Sequence, residues 1–129
     1  MQLRILQALN KWERRDFTYG DADCCQFAGF IAKELTGKDY LADFSYNSEQ
    51  EAYDIIKSNG DLEDTVSTVL GESTSDIKGL EDGSPVMVTI PDNQLLGIKL
   101  GDQAICLTHK GLARLPSEYI SLGWKLCHQ

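Results

Sequence analysis

Phe17-Thr18-Tyr19-Gly20-Asp21-Ala22-Asp23-Cys24-Cys25-Gln26-Phe27-Ala28 is the stretch that decides how this chain folds. An aromatic-glycine turn and two aspartates, Asp21 and Asp23, deliver a cysteine onto the first turn of an expected helix. Cys24, Phe27, Ala28, Ile31 and Leu35 recur at the three-to-four spacing of a buried helix face. Asp21 or Asp23 can serve as N-cap, and Gly37 as C-cap. The first turn of a helix presents unpaired N–H groups and a partial positive charge, and both favour thiolate over thiol. Cys24 is therefore the candidate nucleophile, with Asp23 supporting the helix start. Packing alone also accounts for a small apolar side chain at 24 and at 25, because most buried cysteines are inert.

Outward from this helix, Ile5, Leu9 and Trp12, with Leu6, form a helix-period stripe opposite the charges at 11, 13, 14 and 15. Ser48-Glu49-Gln50-Glu51 fits a capping box that opens a third helix ended by Gly60. Asp61 then caps a short fourth helix carrying Leu62, Val66 and Val69. From Gly83 the period changes to strands over residues 86–90, 95–100, 103–107 and 112–115, with 124–126 as a last one. The turns are Pro91-Asp92-Asn93, Gly101-Asp102 and Lys110-Gly111, and connections this short force antiparallel neighbours. The expected class is α+β, with N-terminal helices packed on a small C-terminal antiparallel sheet in one domain over residues 1–129. No internal repeat or low-complexity tract divides it.

The 129 residues are 42% hydrophobic and 25% charged, which is ordinary for a soluble globular domain. A net charge of −8 opposes phosphate backbones and anionic lipid, so nucleic acid is not an expected partner. Residues 1–12 are interrupted by polar side chains every two or three positions, so no signal-peptide core or membrane insertion is expected. The cysteines at 24, 25, 106 and 127 are then read as reduced thiols. They lack C-x-x-C spacing, and no metal or other cofactor is expected. Asp61-Leu62-Glu63-Asp64 lacks the glycine and spacing of a calcium loop, and the remaining acids, including Glu49, read as solvated surface.

Phe17 to Gly20, Asp23-Cys24 at a helix start and Leu95-Leu96-Gly97-Ile98-Lys99-Leu100-Gly101 together resemble the NlpC-type papain-like cell-wall peptidases. The chain is more closely similar to their small phage-borne relatives of unassigned function, found among tail genes. Those relatives carry Asp-Cys-Cys, Thr-Gly-x-Asp and a late Gly-Leu-x-x-(Leu/Val)-Pro segment before a terminal Trp. Here these are Asp23 to Cys25, Thr36 to Asp39, Gly111 to Pro116, and Trp124. The resemblance implies a papain-like fold. In active members it implies cleavage of peptidoglycan stem peptides by a cysteine, with a histidine base on the first long strand and a polar residue orienting that base. It carries the nucleophile onto Cys24, the supporting position onto Asp23, and substrate contact onto Phe17 and Tyr19. The Cys24 N–H is implied as an oxyanion-hole donor.

Three departures bear on activity. Leu95 takes the position of the histidine base, Phe17 replaces a substrate-contacting tyrosine, and Ser84 replaces an aspartate. If Gly101-Asp102 is a two-residue hairpin turn, 100 pairs with 103 and 95 with 108, which brings His109 to the Leu95 end of the sheet. Alternation along the strand aims His109 away from the required face unless a turn or bulge re-aims it. Otherwise it is a solvated turn histidine beside Lys110, and His128 is expected to fray. The resulting expectation is a structural or assembly component of a phage tail, at the tip or baseplate, that has lost its catalytic histidine. It would be made in a bacterial cytoplasm and reside in the virion, with other tail proteins and peptidoglycan peptide as partners. The alternative is an active thiol peptidase or amidase cleaving stem peptides during entry, with Cys24 as nucleophile and His109 as a displaced base.

Overall fold

Side-chain caps set the helices of the first half. In the computed structural model, which describes residues 3–126, α1 is Leu3–Trp12, α2 Cys24–Thr36, α3 Glu49–Asn59 and α4 Leu62–Leu70. Asp23, Ser48 and Asp61 each accept a hydrogen bond from the N–H three residues on, at Gln26, Glu51 and Asp64. Each such cap is worth about 1 kcal/mol. Asp21 is not the cap of α2; it forms an exposed ion pair with Arg15 at 2.8 Å. The box at α3 is one residue wider than expected, because the Glu51 carboxylate accepts from the Asn47 N–H. Gly37 closes α2 in the left-handed region, φ 83°, and donates its N–H to the Lys33 carbonyl.

The second half is a five-stranded sheet, all antiparallel, comprising β1 Pro85–Ile90, β2 Asn93–Leu100, β3 Gln103–Thr108, β4 Gly111–Pro116 and β5 Ile120–Gly123. The strand order is β4-β3-β2-β1-β5, a meander whose fifth strand crosses back to pair with β1. The class is thus α+β. Alternation along the strands separates two apolar layers. Met87, Leu96, Ile98, Ile105 and Leu107 face the helices and meet Ile5, Leu9, Trp12, Phe27 and Ile31. Leu80, Val86, Val88, Ala104, Cys106 and Ile120 form a second cluster. Each fully buried large side chain contributes roughly 1.5–3 kcal/mol. Helix α2 lies on β2 and β3, which brings its first turn to the sheet.

Four expectations are corrected. The fifth strand is Ile120–Gly123 rather than 124–126, because Trp124 leaves the sheet. Its indole is wholly buried in the helix-side layer, and its Nε1 donates to Ser67 Oγ at 3.1 Å. Leu6 is exposed, and Ala8 completes the buried stripe of α1. Asn93 belongs to β2, since Ile90 pairs with Asn93 across a two-residue Pro91-Asp92 turn that Asp92 accommodates at φ 72°. The Leu100–Gln103 pair is present, but the β2–β3 ladder runs only to Ile98–Ile105, so 95 and 108 do not pair. Leu95 instead pairs with Val88, and Thr108 with Gly111. Cys127 and His128 lie outside the described residues.

Candidate functional site

Residues 17–23 form a closed loop before α2. Thr18 and Ala22 exchange both backbone hydrogen bonds, at 2.9 and 2.7 Å, and pinch Tyr19-Gly20-Asp21 into a tight turn. Gly20 takes φ +86°, and a Cβ there would sit 1.8 Å from the Tyr46 carbonyl oxygen. Only glycine meets both conditions. Asp23 is buried beneath this turn with both oxygens engaged. Oδ1 accepts from the Gln26 N–H at 2.9 Å, while Oδ2 accepts from the Gly20 N–H at 2.9 Å and the Tyr46 hydroxyl at 2.7 Å. One carboxylate therefore ties together the aromatic turn, the helix start and the segment before α3. Burial, reinforced by Cys25 and the Asp23 charge, raises the pKa of Tyr46, so it remains a neutral donor.

Cys24 follows directly, partly exposed on a cleft of about 810 Å³. Its pKa is lowered, chiefly through the adjacent Cys25 thiol and next through the Leu96 backbone amide on β2. These outweigh burial and the Asp23 charge, which act in the opposite sense. The same neighbour, together with burial, raises Cys25 well above the ordinary thiol value. The third described cysteine, Cys106, is buried and pushed up to about 12. Gly97 makes room for it, since a Cβ at 97 would lie 2.5 Å from both Cys106 Sγ and the Ile105 carbonyl oxygen.

The cleft brings together all the site residues that the sequence singles out: Phe17, Tyr19, Asp23, Cys24 and His109. His109 is an exposed turn residue, as its neighbours suggest, yet the β3–β4 turn re-aims it into the cleft. Its ring lies on Phe17 with centroids 4.0 Å apart, and its Nε2 is 3.4 Å from the Tyr19 hydroxyl. No hydrogen bond joins His109 to Cys24 among the described residues. Leu95 edges the cleft while packing against the second apolar cluster.

Tyr46, the Leu96 amide, Glu49 and Tyr53 are site groups that sequence reading misses. Nothing in residue spacing links 46 to 23 or 96 to 24. Glu49 is legible only as a capping-box member, yet it lines the cleft near Tyr19, whose pKa is raised by burial first and by Glu49 next.

A family model, described as a domain of unknown function, matches residues 1–126. The chain belongs to the DUF6950 family. No curated protein and no solved structure matches it. Among the described residues of this DUF6950 member, no group of three or more His, Cys, Asp and Glu is placed to hold a metal ion. No helix among them is long and apolar enough to cross a membrane.

Proposed function

We propose that this chain is a papain-like domain of the NlpC type serving as a structural component of a bacteriophage tail, at the tip or baseplate, whose cleft holds peptide without cutting it. The scaffold reading is supported by a cysteine at a helix N-terminus laid over an antiparallel sheet, preceded by an aromatic-glycine turn. The tail assignment rests on the sequence resemblance to phage-borne relatives.

One observation carries the non-hydrolytic part. The imidazole of His109 lies on Phe17 with Nε2 toward the Tyr19 hydroxyl, and no hydrogen bond joins it to Cys24 among the described residues. Proton transfer needs a base within about 2.6–3.2 Å of the group it serves, or one water away. At the position that the resemblance gives to the base stands Leu95, a hydrocarbon. Cys24→Ala should leave particle assembly intact, and purified protein should release no product from muropeptides. Normal tails with lost infectivity in that variant would count against this reading.

The shared cleft favours a second reading, in which His109 swings from Tyr19 toward Cys24 and the pair hydrolyses stem peptides. Muropeptide turnover abolished by both Cys24→Ala and His109→Ala would establish it over the first.

A further inference from the structure

We infer that copies of this chain associate head to tail, the outer face of α1 on one copy lying in an apolar groove between α2, α3 and α4 of the next. Such assembly is independent of whether the cleft beside Cys24 cuts peptide.

The groove is walled by side chains that the folded chain only half covers. Leu41 and Phe44, from the segment after α2, line it together with Ile55 on α3 and Val69 and Leu70 on α4, and all five are half-buried. Helix α3 carries no buried residue at all. The enclosed part holds about 80 Å³. That is half of the roughly 150 Å³ that takes up a benzene ring, so it suits one branched four-carbon side chain such as that of leucine. The buried hydroxyls that border it are already spent, since Thr65 donates to the Asp61 carbonyl at 2.7 Å and Tyr46 to Asp23 at 2.7 Å. Inside the groove an occupant therefore gains by burying hydrocarbon.

The outer face of α1 supplies both the hydrocarbon and the complementary charge. Leu3 and Leu6 are 67% and 45% exposed, and with Gln7 and Asn10 they stand at i, i+3, i+4 and i+7, the spacing by which a helix lies in a groove. The core already takes the opposite face of α1 through Ile5, Ala8, Leu9 and Trp12. Arg4 and Lys11 flank the outer stripe and Arg14 follows it, while Glu13 is paired with Arg114 at 3.7 Å. The segments that line the groove carry instead Asp39, Asp43, Glu51, Asp54, Asp61 and Asp64, all exposed and none in an ion pair among the described residues. Lys38 and Lys57, on the same segments, lie over the rings of Tyr40 and Tyr53 at 5.1 and 5.6 Å. Opposite charge on the two faces sets their register and disfavours groove against groove. A face that meets a different face repeats, so copies close into a ring or extend as a filament.

One helix face in one groove buries less than the roughly 1,200 Å² of a standard interface, so the association is weak and reversible. In sedimentation velocity, the weight-average mass of the full-length parent should climb above that of a monomer between about 10 and about 500 μM. Leu3→Glu with Leu6→Glu alters two exposed side chains, so this variant should fold as the parent does and associate about tenfold more weakly. It keeps its groove. Titrated as 15N-labelled protein with unlabelled parent, it should show shifts at the amides of Leu41, Phe44, Ile55 and Val69 and none over residues 3–12. Val69→Glu loses the groove and keeps the helix, so mixing it with the leucine variant should give a dimer that grows no further; should Val69→Glu fail to fold by circular dichroism, the titration decides alone. A parent that stays monomeric at every concentration, a leucine variant that associates like the parent, or shifts confined to other segments would overturn the inference. So would a mixture of the two folded variants in which no dimer forms.

Discussion

Replacing Asp23 with alanine should destabilise the fold far more than one acidic side chain ordinarily does. The change deletes the N-cap of α2, worth about 1 kcal/mol. It also leaves the buried Tyr46 hydroxyl without its acceptor, a penalty of roughly 1–3 kcal/mol, and frees the Gly20 N–H. The sum is about 3 kcal/mol, or a fall of roughly 10 °C in Tm for a domain of this size. Tyr46→Phe removes one bond to an ionised carboxylate and should lose about 1.5–3 kcal/mol by itself. Because both substitutions delete the same bond, the double variant should be less unstable than the two losses added, with a coupling of about 1–2 kcal/mol. Urea unfolding of the four proteins, followed by far-UV circular dichroism, measures all three quantities. An Asp23→Ala midpoint equal to the parent's, or strict additivity in the cycle, would refute the claim that this carboxylate ties the aromatic turn to the helix start.

Further expectations concern the thiol and the sheet. Iodoacetamide reacts with the thiolate, so the Cys24 alkylation profile should have its midpoint below the ordinary thiol value of about 8.5. Cys25→Ala removes the neighbouring thiol that lowers it most, and should move that midpoint upward. His109→Ala should leave the profile where it is and change stability by less than about 1 kcal/mol, as for an exposed turn residue; a midpoint that rises in this variant would place the imidazole in contact with sulfur. Gly97→Ala drives a methyl group against Cys106 Sγ and the Ile105 carbonyl, and should destabilise by about 1–3 kcal/mol in the same urea assay. Adding Cys106→Ala should recover only part of that loss, since the backbone clash persists.

The helical half was legible because its signals are local. Asp23, Ser48 and Asp61 announce helix starts by side-chain chemistry acting over three residues, and Gly37 announces an end by its conformation. Three hairpin connections were legible for the same reason, to within a residue at Asn93. Strand β5 was not, because Ile120 follows a 3-10 turn at Ser117–Tyr119 and its pairing with Val88 is a long-range choice. The apolar Trp124 and Leu126 suggested a strand, but packing under the helices claims the indole instead. His109 shows the limit of alternation as a guide. Period two fixes a side chain's face only while the strand lasts, and β3 ends at Thr108. The bond from Tyr46 to Asp23 crosses 23 positions with no spacing rule to reveal it, so the part of the site that fixes the start of α2 emerges only with tertiary structure.

Strand β5 has a consequence for how the chain can be made. It supplies the outer neighbour of β1, and its Gly123 also exchanges two backbone hydrogen bonds with Thr74. A nascent or prematurely terminated polypeptide that stops before Ile120 therefore displays the bare flank of β1, with Val86 and Val88 deprived of the Ile120 that packs beside them. Such a flank is a template for pairing with other copies. Translation must pass this point before the molecule is safe from clumping, and early stop codons should yield inclusion bodies rather than a smaller working protein.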